Sequence, residues 1–137
     1  MNAYAKNIPV TKATDACYPT AEAAVARIAT RLQHFSDRDE WAAAVLKDAD
    51  CYRETVLVTN RDQDAVSFIV KKTKTQKTVA VIHSHPKGPH SHQFSVEDRK
   101  TADALGVPMY IYDMLSEKLF VYAQGASAAA GFSRWKQ

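Results

Sequence analysis

The chain has 137 residues, with 18 Lys+Arg, 15 Asp+Glu, five His and two Cys, a composition that fits one ordinary domain able to bury a core unaided. Hydrophobic residues at 46% against 24% charged exclude wholesale disorder. No apolar run reaches the roughly 20 residues of a membrane span, and a formal charge of +3 spread along the chain is only weak evidence for a nucleic-acid partner.

Residues 1–18 have no period and read as an extended, loosely docked arm. Thr20 then caps a helix in which Val25, Ile28, Leu32 and Phe35 recur at spacings of three and four, while Glu22, Arg27, Arg31 and Gln33 face outward. The polar run 36–39 ends it. Residues 40–46 (EWAAAVL) are short and follow a turn, which favours a strand. Residues 52–59 and 65–72 are rich in β-branched side chains and flank a polar turn, so they read as a hairpin. The basic stretch 71–77 reads as a solvated connection. Residues 78–82 (TVAVI) form the short apolar run of a buried strand that ends at His83.

The segment 85–94 contains Pro86, Gly88 and Pro89 and must be loop. Ser95 opens a second helix with Ala102 and Leu105 inward and Gly106 at its end. Residues 107–112 and 118–123 are strands joined by a short turn, and the tail 124–137 reads as a partly ordered appendage on which Trp135 packs back. The strand–loop–helix–strand step requires a parallel pair within an otherwise antiparallel sheet. The expected fold is therefore one α/β domain over 1–137, a mixed, mostly antiparallel sheet flanked by helices. Cys17 and Cys51 stand in no CxxC pair and near no activating motif. They read as small buried hydrophobes in a reduced, cytoplasmic setting, with export by a leaderless route left open.

Four of the five histidines, His83, His85, His90 and His92, lie within ten residues, a cluster that packing does not require. His83 and His85 alternate at a strand end, so both point to one face. Asp98, in the first turn of the next helix, comes within reach if the loop folds back. Two imidazoles and a carboxylate, with water in a fourth position, make a catalytic zinc arrangement. The competing structural account is that Ser95-x-x-Asp98 is a capping box. His90 and His92 read as solvated loop residues, and His34 as lying at a helix surface or end.

Taken together, His83-Ser84-His85-Pro86, Ser95-x-x-Asp98 and an upstream Glu resemble the JAMM motif of the JAB/MPN metalloproteases. Phe94-Ser95-x-x-Asp98 and Ala104-Leu105-Gly106-Val107-Pro108-x-Tyr110 are similar to the bacterial JAB-like domains, over roughly residues 36–123. The resemblance implies a deaminase-like α/β sandwich and zinc held by His83, His85 and Asp98. It also implies Ser95 orienting the reacting oxygen and Glu40 as general base and acid, with Glu54 the alternative because it too lies on an expected strand. The activity implied is hydrolysis of peptide or isopeptide bonds in a peptide or protein substrate, ubiquitin-like proteins among them. Two further readings are an inactive binding or scaffold module and a nucleic-acid-associated relative. The family usually places seven residues between the second His and the Ser, whereas nine separate His85 from Ser95.

Overall fold

A computed structural model describes residues 8–35, 38–62 and 66–123, together with the backbone of 132–133. The elements are β1 (Val10–Lys12), α1 (Ala21–Leu32), β2 (Ala42–Asp48), β3 (Cys51–Glu54), β4 (Ile69–Lys71), β5 (Gln76–His85), α2 (Val96–Leu105), β6 (Met109–Asp113), β7 (Lys118–Tyr122) and β8 (Phe132–Ser133). The main sheet has the order β3-β2-β5-β6-β7-β8. Only β5 and β6 run parallel in it, because α2 forms the crossover between them, and the other pairs are antiparallel. This is the expected mixed α/β fold. Among the described residues, no helix is long and apolar enough to cross a membrane.

The two inner strands separate the core into two halves. Residues Ala42 to Leu46 of β2 are fully buried on both faces, and small alanines let neighbouring layers approach closely. Ala43 and Val45 of β2, with Ala80 and Ile82 of β5, pack under Val25, Ile28 and Leu32 of α1. Ala44 and Val81 face the other way, toward Phe94, Ala102 and Ile111. Strand alternation therefore places Val81, His83 and His85 on the α2 side. Thr20 caps α1 by accepting the Ala23 N–H at 3.0 Å. Gly106 ends α2 at φ +69°, a left-handed cap that costs glycine nothing.

Several sequence expectations need correction. Segment 65–72 is not the hairpin partner of 52–59. The hairpin is β2–β3, and β4 instead lies parallel to β1, with Val10 opposite Ile69. Pairing between distant segments left no local signal there. The N-terminal segment is correspondingly better docked than a loose arm: Thr14 N–H donates to Glu54 O, Val56 N–H donates to Lys12 O, and Thr11 Oγ1 bonds Val56 O. Leu105 is 53% exposed rather than inward, because only Ala102 of α2 is fully buried. The tail expectation, Trp135 included, falls outside the described residues apart from the two-residue strand β8.

The cysteines are corrected as well. Cys17 and Cys51 form a disulfide across 34 residues, with Cα atoms 5.1 Å apart. The neighbouring pair Tyr18 and Tyr52 exchanges both backbone hydrogen bonds, at 2.8 and 2.9 Å, which brings the two cysteines side by side. The inference from free thiols to a reduced setting therefore has no basis.

Candidate metal centre and active site

The site forms where β2 begins and β5 ends. Ala42 pairs with His83, and the next position is pinned by Ser84 N–H to Trp41 O at 2.8 Å and Trp41 N–H to Ser84 Oγ at 3.0 Å. Continuing the antiparallel register carries Glu40 alongside His85, on the α2 face. The Glu40 backbone is held by its N–H on Asp62 O and by the Thr59 hydroxyl on its own carbonyl.

His83 Nε2 and His85 Nε2 lie 3.0 Å apart. From α2, Asp98 Oδ1 approaches His83 Nε2 at 3.2 Å and Oδ2 approaches His85 Nε2 at 3.4 Å. Donors bound at about 2.0–2.1 Å to a tetrahedral zinc are separated by about 3.3 Å. The spacing of the two imidazole nitrogens is close to that edge, and each ring has a different Asp98 oxygen at a similar distance, so imidazole and carboxylate groups of the kind that bind zinc gather on that scale. Glu40 also gathers here: one of its carboxylate oxygens and one nitrogen from each imidazole all lie within 4.8 Å of one another.

Asp98 serves two purposes. Oδ2 accepts the Ser95 N–H at 2.9 Å while Ser95 Oγ accepts the Asp98 N–H at 3.0 Å, a complete capping box. The cap and the approach to the histidines are compatible because the helix start points the carboxylate at the end of β5. Ser95 is thereby placed on the rim, its acceptor used by the cap. The nine-residue spacer does not carry Asp98 away.

Electrostatics differentiate the two carboxylates. Burial pushes the Glu40 carboxyl up, with Asp98 and Asp62 adding to the rise, and this outweighs the two imidazoles that lower it. Burial also acts to raise Asp98, but hydrogen bonds from His83, His85 and the Ser95 backbone hold it far below the usual carboxylate range. The fold thus raises the proton affinity of one carboxylate and lowers that of the other. Burial would lower His85, but Asp98, Glu40 and a backbone bond to Ser91 raise it.

Glu54, the alternative base, lies elsewhere. It stands opposite Val45, on the α1 face, where Arg31 Nη2 meets its Oε1 at 2.6 Å. Two pockets flank the centre, and both are lined by Glu40, His85 and His90. The larger, about 390 Å³, is an open cleft lined also by residues 86–89 and Ser91. The smaller, about 240 Å³, is lined also by Phe94, Ser95 and Asp98. His90, read from sequence as a solvated loop residue, is exposed yet borders both pockets.

A family model for prokaryotic homologs of the JAB domain matches residues 16–128. The chain belongs to that family. No curated protein matches it.

Proposed function

We propose that the protein is a zinc-dependent hydrolase of peptide or isopeptide bonds, with His83, His85 and Asp98 as metal ligands and Glu40 as general base and acid. The single observation that carries this reading is the convergence of two imidazole nitrogens 3.0 Å apart with the Asp98 carboxylate, beside the buried Glu40 carboxyl. Zinc held there supplies a Lewis acid that lowers the pKa of a coordinated water to about 7 and polarises a carbonyl. Glu40 accepts the proton of the attacking water and returns it to the leaving amine, a contribution of typically 10²–10⁴-fold. It is close enough to the histidines for a single water to bridge them. Ser95 Oγ uses a lone pair in the cap and keeps its own proton to donate to the developing oxyanion. The substrate is a peptide or protein segment lying across the two pockets, with ubiquitin-like proteins among the candidates.

One observation favours a second reading. The capping box explains Asp98 without any metal, as in an inactive module that keeps the fold for binding or scaffolding. Zinc titration with peptide-cleavage assays separates the two. The hydrolase reading expects stoichiometric zinc, its loss in His85→Ala, and retention of zinc with activity reduced about 10²–10⁴-fold in Glu40→Gln. Purified protein that takes up no zinc overturns it, and zinc-loaded Glu40→Gln with full activity overturns the assignment of the base.

A further inference from the structure

The long loop after β5 contains a feature that the ligand set does not use. Ser91 is only 7% exposed although it sits between the exposed His90 and His92. Its carbonyl oxygen lies 2.9 Å from His85 Nδ1. The Ser91 hydroxyl donates to Gly88 O at 2.8 Å, and the Ser91 N–H reaches the same carbonyl at 3.2 Å. Two bonds to one acceptor close residues 88–91 into a tight turn. That turn is anchored on the sheet. Asp113, 2% exposed and paired with His85 in the β5–β6 register, interacts with the Ser91 side chain.

A neutral imidazole has one protonated nitrogen and one bare nitrogen, and the partner of the first decides which is which. A carbonyl can only accept, so His85 must carry its proton on Nδ1 to satisfy Ser91 O. Nε2, which faces His83 and Asp98, is then the nitrogen left to give up its proton to a metal.

We propose that Ser91 is a positioning residue for His85: its side chain locks the 88–91 turn, and the turn aims a backbone carbonyl that holds the Nδ1–H and with it the ring orientation of the metal-binding histidine. The proposal rests on the zinc reading above, but its central claim concerns the metal-free protein too. Groups that orient a metal-ligating histidine change affinity by typically 10–100-fold when lost.

Two measurements test it on the full chain. Proton-detected spectra of the metal-free protein should show a His85 Nδ1–H proton protected from solvent exchange by its bond to Ser91 O. In Ser91→Ala that protection should be lost, and Ser91→Thr, which keeps the hydroxyl, should restore it. Zinc affinity, measured by competition with a chromogenic chelator, should fall about tenfold or more in Ser91→Ala and recover in Ser91→Thr, with unchanged thermal unfolding of the metal-free forms. Unaltered exchange protection of the His85 Nδ1–H together with wild-type zinc affinity in Ser91→Ala overturns the proposal. If the wild type itself takes up no zinc, the hydrolase reading fails, while the exchange comparison still decides the role of Ser91.

Discussion

The Cys17–Cys51 bridge makes a quantitative prediction. It closes a loop across a sequence separation of 34 and ties the N-terminal segment to β3, the edge strand of the main sheet. In the chain-entropy account, a loop of this length removes about 13 cal/mol/K from the unfolded ensemble, equivalent to about 4 kcal/mol at 25 °C. With an unfolding entropy of about 2.1 cal/mol/K per residue, a chain of this length loses about 13 °C of Tm for that change. The perturbation is the double variant Cys17→Ser/Cys51→Ser, compared with the wild type by thermal and urea unfolding, with and without a thiol reductant. The variant should match the reduced wild type, and both should lie well below the oxidised protein. Below the lowered Tm, zinc uptake should not change, because the bridge lies on the far side of β2 from β5. Oxidised and reduced protein with the same Tm, or two titratable thiols in native protein purified without reductant, would refute the reasoning.

The ion pair between Glu54 and Arg31 should show a directional asymmetry. Glu54 is 1% exposed and Arg31 is 43% exposed. Arg31→Ala leaves a buried carboxylate without its closest cation and should cost about 3 kcal/mol in urea unfolding, whereas Glu54→Gln leaves an arginine that water can solvate and should cost about 1 kcal/mol. Neither should alter zinc affinity, in contrast to His85→Ala. Acid stability should depend on Asp113. Burial acts to raise its carboxyl, but hydrogen bonds from the Ser116 hydroxyl and from the backbone N–H groups of residues 115 and 116 hold it below the ordinary value. A carboxyl depressed by folding contributes its full stability above the unfolded pKa of about 3.9 and loses it as pH falls through the folded value. The stability gap between wild type and Asp113→Asn, measured by urea unfolding across a pH series, should therefore be widest at neutral pH and shrink below about pH 4. A gap independent of pH would show that the carboxylate charge is not what Asp113 contributes.

Much of this protein is determined by short-range pattern. The Thr20 and Ser95 caps, the stripe of Val25, Ile28 and Leu32, the left-handed stop at Gly106 and the alternation that turns His83 and His85 to one face all depend on neighbours within a few positions. Such signals survive in sequence because hydrogen-bond and side-chain periods are fixed by backbone geometry. The βαβ step was legible for the same reason, since a helix between two buried strands forces a parallel pair.

What only the tertiary structure decides is which distant groups share a face. Glu40 and Glu54 are both carboxylates beside strands, but their registers send one toward the histidines and the other toward Arg31. The pairing of β1 with β4, the closing of Cys17 on Cys51 and the use of one Asp98 carboxylate by both a helix cap and two imidazoles arise from contacts between separate segments. Ser91 shows the limit most sharply. Nothing in its sequence neighbourhood marks it, because what it offers His85 is a backbone carbonyl that every residue possesses. Its role comes from the turn that aims that carbonyl and from Asp113 on the adjacent strand. Chain chemistry specifies which groups are present, and the strand registers and the folded loop specify which of them meet.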